Sequence, residues 1–311
     1  MALLIEGCAV RASIAGNDAS NRPHDVIGRK HLSRFIRSRS PLVAQLALLR
    51  HAGRPGALSE LFYELGSVPR DRRRLSEARN GRDVCWLEAP VESEPLVTVR
   101  IATKDRPGLL VERALASALN QTYERIEILI VGDHCDERTQ DALSLVSDPR
   151  IRYINLGRQG DYPTEPTRRW QVAGSKPMNA GLLLASGDWI APCDDDDELD
   201  PTHVEQMLRF AQAQRLEFVW SKTIEVRPGD ADRQVGHPVM SPSACNHGAV
   251  LYSMGLAAMP YSPTSDRLDE PFDWNLWKRL QLAGVKMAYL DEVTYRTWPA
   301  GAAQYETGNA R

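Results

Sequence analysis

From Leu96 onward the sequence predicts an α/β protein with a mostly parallel central sheet and helices on both faces. Three observations carry this. Strand-like and helix-like segments alternate between Leu96 and Arg215, and strand–helix–strand order calls for right-handed crossovers and parallel pairing. Ile126 to Val131 is apolar except for Glu127, the composition of a strand covered on both faces. The apolar run Trp189 to Cys193 empties into five consecutive acidic residues, Asp194 to Glu198. That puts carboxylates at the carboxyl end of a strand, the edge where open α/β sheets bind ligands.

At 311 residues, with 42% hydrophobic and 25% charged residues, the chain can bury one large core or two modest ones. Its five cysteines are odd in number, scattered and without a C-x-x-C pair, which suggests neither a disulfide framework nor a zinc site and fits a reducing cytoplasm. No apolar run is long enough to span a bilayer; Leu42 to Leu49 comes nearest and is interrupted by Gln45. The first residues lack a basic leader and carry Glu6, so no signal peptide is expected. The net charge of -3 hides an asymmetry: residues 1–90 hold 15 Lys and Arg against 9 Asp and Glu, leaving -9 for the remainder. No nucleic-acid partner is expected.

Three regions follow: a basic, mainly helical extension over 1–90, an α/β domain over 91–298 and a loose tail over 299–311. Residues 1–29 show no sustained period. Leu32, Phe35 and Ile36 recur at helical spacing among arginines, Ser40-Pro41 opens a second helix, and Leu58 to Leu65 makes a third. Such a basic arm suits contact with a membrane surface, an anionic acceptor or a partner chain; equally it can be a helical cap with solvated arginines. Arg70 to Arg74 reads as a polar linker.

In the α/β domain, Leu96 to Thr103 is a strand, and Pro107 opens a helix to about Asn120. Strand Ile126–Val131, a helix near 137–145 and strand 151–155 come next. A long loop, 156–176, carries Arg168, Arg169 and Trp170; loops of that length are usually functional or disordered. Helix 177–185, closed by Gly187, delivers the chain to the acidic run. Asp200-Pro201 then reads as the N-cap and first residue of a helix to Arg215. Residues 218–220 form a short strand, 228–263 show little regularity beyond a strand at 249–252, and a helix over 269–283 ends at Gly284. Short strands follow at 287–290 and 293–295.

Taken together, these segments resemble the family 2 glycosyltransferases, which have the GT-A fold. Val99-Arg-Ile-Ala-Thr-Lys-Asp-Arg-Pro107 is similar to that family's first strand and turn, and Leu119-Asn-Gln-Thr-Tyr123 to the end of its first helix. Ile126 to Asp133 resembles its second strand, Asn179 to Asp188 with Asp194 to Asp197 the helix leading into its DxD motif, and Phe272 to Leu280 the segment with its catalytic base. The resemblance covers about 200 residues, from roughly Pro95 to Tyr295, and does not reach residues 1–90.

It implies an inverting, metal-dependent transfer of sugar from a nucleoside-diphosphate-sugar donor to a glycan, lipid-linked or other hydroxyl acceptor. Asp194 and Asp196 are the implied ligands of Mn²⁺ or Mg²⁺. Thr103, Asp105, Asp133, Lys176, Asn179 and Asp195 are the implied donor contacts, and Asp273 the base. Each has a plainer reading: Asp133 can cap the following helix, Asp273 can interact with a helix dipole, and the acidic run can be a solvated turn. Asp197 and Glu198 would either support the metal ligands from behind or be solvated, Trp274 is a sugar platform or core residue, and His247 stays outside the metal set. Four departures stand out. Arg100 sits in a strand that is normally apolar, Gly132 replaces an acidic residue, Met178 stands where an arginine often precedes the asparagine, and Phe272 replaces an acidic neighbour of the base. Phosphate contact would then fall to Lys176, Arg168 or Arg169.

Other classes fit less well. No G-x-G-x-x-G or G-x-x-x-x-G-K is present, and Lys104 to Gly108 is too poor in glycine for a nucleotidyltransferase phosphate loop. A non-catalytic sugar-nucleotide or glycan-binding protein on the same fold is the alternative from a different class.

Overall fold

The computed structural model describes residues 57–80 and 93–298, apart from 228 and 243. Two compact units divide the chain, Met1–Leu61 and Phe62–Arg311. The expected lead-in, the two helices between Lys30 and His51, and the tail after Trp298 lie outside the described residues.

The strands are β1 (Val97–Thr103), β2 (Ile126–Gly132), β3 (Ile151–Asn155), β4 (Trp189–Asp194), β5 (Glu198–Leu199), β6 (Phe218–Glu225), β7 (Arg233–Val235), β8 (Val250–Ser253) and β9 (Met287–Thr297). They form one sheet in the order β3-β2-β1-β4-β8-β6-β9-β5, with β7 on β6. The first four are parallel, with β1 between β2 and β4. β8 then joins β4 and β6 antiparallel. The helices are α1 (Ala57–Asn80), α2 (107–119), α3 (Glu137–Ser144), α4 (Pro166–Val172), α5 (Ser175–Leu184), α6 (His203–Gln214) and α7 (Phe272–Ala283).

Because side chains alternate across a strand, β1 feeds two cores. Val97, Val99 and Ile101 pack in one with Leu110, Ala114 and Ala118 of α2 and Val204, Met207 and Leu208 of α6. Ala102 belongs to the other, with Met178 and Leu182 of α5, Trp274, Trp277 and Leu280 of α7, and Leu75 of α1. Helices therefore cover both faces, and the functional strand ends project from a sheet held rigid on each side.

Several boundaries differ from the sequence expectation, each for a physical reason. Arg70 to Arg74 is helix rather than linker: α1 continues through Pro69 to Asn80 because Val68, Asp71 and Leu75 are buried at helical spacing. Asp71 receives Arg279 of α7 through Nε–Oδ2 at 2.9 Å and Nη2–Oδ1 at 3.1 Å. The 156–176 loop contains α4, whose N-cap Glu165 accepts from Thr167 N and Arg168 N. Helix α6 starts at His203, since the Pro201 carbonyl accepts from Thr122 N across the fold. Asp200 Oδ1 instead closes a local turn onto Thr202 N and Oγ1, at 3.2 and 2.9 Å. Gly187 does not cap α5, which ends at Ala185 in an extended conformation; a methyl group on Gly187 would come within 2.6 Å of Thr98 N, so glycine lets the chain pass close to β1. The two short C-terminal strands are one, β9, with a register shift against β6 that leaves Asp291 and Glu292 outside the pairing.

His203, fully buried at the head of α6, has Nδ1 within 2.8 Å of Thr294 Oγ1. Burial pushes its pKa down to about 4. The unfolded chain therefore takes up a proton between roughly pH 6.5 and 4 that the folded chain refuses, and stability contributed above pH 6.5 is lost on acidification. Thermal melts should show His203→Gln flattening the fall in Tm across that window, a term of up to about 3 kcal/mol.

Candidate active site

The acidic run leaves β4 at its carboxyl end, where Ala102 of β1 pairs with Asp194. Its carboxylates diverge at once. Asp194 Oδ1 lies 2.9 Å from His247 Nδ1; burial would raise its pKa, but His247, then Arg106 and Arg100, hold it below the usual carboxylate range. Asp195 turns inward, 1% exposed, and accepts from Thr103 Oγ1 at 2.7 Å. Burial, with Asp196 and Asp194 adding to it, pushes Asp195 up to about 7 against the opposing pull of Arg106. Asp196 is the more open of the two, its side chain 18% exposed and paired with Arg106 Nη1 at 2.6 Å. Asp197 is buried and accepts from Tyr295 Oη at 3.0 Å and Trp298 N at 3.2 Å, and burial and its acidic neighbours raise its pKa strongly. It buttresses the turn from beneath. Arg113 adds a bond to the Asp196 carbonyl at 2.9 Å and stacks on Trp298, 4.2 Å from the ring centroid.

The strand ends beside the run carry the other expected contacts. Thr103 O accepts from Asp133 N at 2.9 Å. Asp133, 3% exposed, accepts from Gly160 N at 3.0 Å and Tyr162 Oη at 2.8 Å, which folds the 156–162 segment over the end of β2. Asp105 adopts a left-handed conformation, φ 53°, pairs with Lys104 and accepts from Asp136 N at 2.8 Å. Asp133, Asp105 and Thr103 thus form one row with the acidic run. Lys176 joins the same segment, its Nζ donating to the carbonyls of Arg158 and Gln159, whereas Asn179 clamps both backbone groups of Tyr261 at 2.9 Å. Arg168 pairs with Asp266 at 2.5 Å, and Arg169 lies 5.5 Å from the Tyr162 ring centroid.

Asp273 opens α7, with Oδ1 accepting from Trp274 N at 2.7 Å. Burial raises its pKa, His247 opposes this, and Asp194 adds to it. Phe272 of the same turn lays its ring edge-on to His247, centroids 5.6 Å apart, and to Tyr261 at 5.3 Å. The residue that replaces an acid next to Asp273 is therefore the apolar wall of the histidine. Trp274 is 8% exposed and belongs to the core.

Sequence reasoning marked the group that links these pieces only as a charge in an apolar strand and did not bring it to the site. Arg100, 1% exposed, crosses from β1 beneath α5, donating to Met178 O and Tyr252 Oη at 3.2 Å and to Tyr261 Oη at 2.9 Å; its Nη2 is 3.4 Å from His247 Nε2. The guanidinium in an apolar strand was the available signal, and Asn246-His247-Gly248 the second. Gly181 makes room for it: a methyl group there would come within 2.6 Å of Arg100 Cδ. A shallow cavity of about 350 Å³, bounded by Arg113, Asn120, Glu198 and Arg296, lies beside this cluster rather than at it.

The sheet, parallel through β3-β2-β1-β4 and covered by helices on both faces, has the GT-A fold, shared with its solved structural neighbours. Staphylococcus aureus TarS 1–349 matches with a TM-score of 0.50 at 16% identity, over 65% of this chain and 60% of that one; its complex with UDP-GlcNAc matches at 0.51 and 15%, over 69% and 61%. The chain belongs to glycosyl transferase family 2, whose profile matches residues 98–162 and 167–256. Among curated relatives, succinoglycan biosynthesis protein ExoO of Rhizobium meliloti is 31% identical over 123 residues, 40% of this chain and 32% of that protein. UDP-Glc:alpha-D-GlcNAc-diphosphoundecaprenol beta-1,3-glucosyltransferase WfaP of Escherichia coli is 25% identical over 182 residues, 58% and 61%. The matches thus span less than two thirds of these relatives' lengths.

Gly181→Ala should lower stability by about 1–3 kcal/mol by driving the new methyl into Arg100, whereas Gly108→Ala, with open space around it, should stay within about 0.5 kcal/mol. Denaturant melts of the two variants make the comparison.

Proposed function

We propose that the chain transfers a sugar from a nucleoside-diphosphate-sugar donor to an acceptor hydroxyl with inversion. The observation that carries this reading is that the end of β4 and the start of α7 meet around one histidine: Asp194 Oδ1 lies 2.9 Å from His247 Nδ1, and the ring of Phe272, the residue before Asp273, packs on the His247 ring at 5.6 Å. The row Thr103, Asp105 and Asp133 supports a nucleoside site beside them, because ligands lie across strand carboxyl ends in such sheets. In the ligand-free chain Asp133 is bonded to Gly160 and Tyr162; a base entering there would take over those hydrogen bonds or move the 156–162 segment.

Among the described residues, no group of three or more acidic, histidine or cysteine side chains is arranged to hold a metal ion. The donor set nevertheless fits Mn²⁺ or Mg²⁺, which binds through one or two carboxylates and completes its shell with substrate phosphates and water. Asp196, the more exposed acid, and Asp194 would hold it. A cation so bound supplies Lewis-acid stabilisation of the charge that develops on the departing diphosphate. Asp195, hydrogen-bonded to Thr103, would orient the ribose side of the donor. Asp273 takes the proton of the acceptor hydroxyl as its oxygen attacks the anomeric carbon from the face opposite the diphosphate. Burial raises the pKa of Asp273, which makes it a better proton acceptor than an exposed carboxylate while His247 limits the rise. Phe272 and the aromatic cluster keep water from that side.

The acceptor is a glycan, a lipid-linked sugar or another hydroxyl compound; the acceptor in WfaP's name supports the lipid-linked class. No helix among the described residues is long and apolar enough to cross a membrane. We place the chain in the cytoplasm, with the basic N-terminal segment as the contact to a membrane or partner.

Release of nucleoside diphosphate from UDP-, GDP- and dTDP-sugars with Mn²⁺ tests the activity; donor binding with no release from any of them would favour a binding protein instead. Asp273→Asn should reduce transfer at least about a hundredfold with donor affinity unchanged in calorimetry. Asp196→Ala should abolish the Mn²⁺-dependent part of donor binding, seen as loss of the thermal shift that a bound donor produces.

A further inference from the structure

Arg106 stands immediately before Pro107, at the start of α2, with its side chain 43% exposed. An arginine so placed could extend into solvent. All three of its guanidinium nitrogens instead point at the acidic run: Nε to Asp195 Oδ2 at 3.3 Å, Nη2 to Asp195 Oδ1, and Nη1 to Asp196 Oδ2 at 2.6 Å. With Thr103 also donating to Asp195 Oδ2, both Asp195 oxygens accept hydrogen bonds, and Asp196 accepts from the same guanidinium.

We propose that Arg106 is an exchangeable counter-ion: it neutralises Asp195 and Asp196 while the donor site is empty, and its Nη1 gives up Asp196 when a divalent cation arrives with the nucleoside diphosphate. This rests on the cation reading above. A carboxylate cannot coordinate a divalent ion and keep a guanidinium at 2.6 Å without placing like charges within a few ångströms of each other, a repulsion that is strong at a partly buried site. The diphosphate relieves it, because its negative charge offsets both cations. Asp195, buried behind, keeps Nε and Nη2, so Arg106 pivots rather than leaves. The free protein is then a poor cation site by construction, and cation and nucleotide bind together. Arg106 acts here as a positioning residue, through Asp196.

The test titrates Mn²⁺ alone into the full chain, following free Mn²⁺ by electron paramagnetic resonance, with and without UDP or GDP. In the wild type, whichever of the two nucleotides binds should raise Mn²⁺ affinity at least about tenfold. Arg106→Gln should raise the nucleotide-free affinity at least about tenfold and narrow the gap that nucleotide produces. Arg106→Lys, which keeps the charge but not the planar fork, should fall between the wild type and Arg106→Gln. Equal nucleotide-free affinities for wild type and Arg106→Gln would overturn the exchange, as would Arg106→Lys behaving like Arg106→Gln. The wild-type comparison needs no variant, and tight Mn²⁺ binding without nucleotide would overturn it alone. No Mn²⁺ binding to the wild type even with nucleotide would instead remove the cation reading itself, and the exchange with it.

Discussion

Concentrated negative charge is the constraint on which this structure turns. Five acidic residues in a row, leaving a buried strand, would repel one another and unfold the turn if each faced the same way. The fold separates the first four and partners each: His247 for Asp194, Thr103 for Asp195 with Arg106 shared between Asp195 and Asp196, and Tyr295 for Asp197. A guanidinium from the start of α2, a histidine from the stretch before β8 and hydroxyls from β1 and β9 therefore meet at one point. The strands and helices that bring them there are the α/β framework itself.

A second layer fixes the histidine. Tyr261 Oη lies between Arg100 and His247, and its backbone is clamped by Asn179 of α5. Arg279 of α7 takes the preceding carbonyl, that of Pro260, at 2.9 Å. The irregular 259–261 segment is thereby tied to β1, α5 and α7 at once. Asn179, expected at the donor on the strength of family resemblance, here holds the scaffold behind the site. Its place in a motif comes from where it sits in α5, and its hydrogen bonds show what it supports in the ligand-free chain.

The parts legible in the sequence were those governed by local periodicity and chain order. The apolar runs of β1, β2 and β4, the switch to helix at Pro107, the end of α7 at Gly284 and the exit of β4 into Asp194 all follow from spacing and turn chemistry. What spacing could not reveal depends on partners far along the chain. The continuation of α1 through Pro69 needs the buried face it offers to residues more than two hundred positions later. The start of α6 moves because Thr122 takes the Pro201 carbonyl. Arg100 looked like a flaw in a buried strand, and only the opposing Tyr252, Tyr261 and Gly181 explain how it is accommodated. Helix α4 was hidden because its seven residues include two arginines and a half-exposed tryptophan, too little apolar pattern to register.

The ion pair between Asp71 and Arg279 has a further meaning for where the folded unit begins. Arg279 is 6% exposed, and with Asp71 it closes the surface around Leu75 and Trp277. A gene cut to begin at β1 would leave that guanidinium without its carboxylate partner. The helix bearing Asp273 would lose its outer support. The span recognised by kinship, residues 98–162 and 167–256, is therefore shorter than the unit that folds, with α1 before it and α7 and β9 after it.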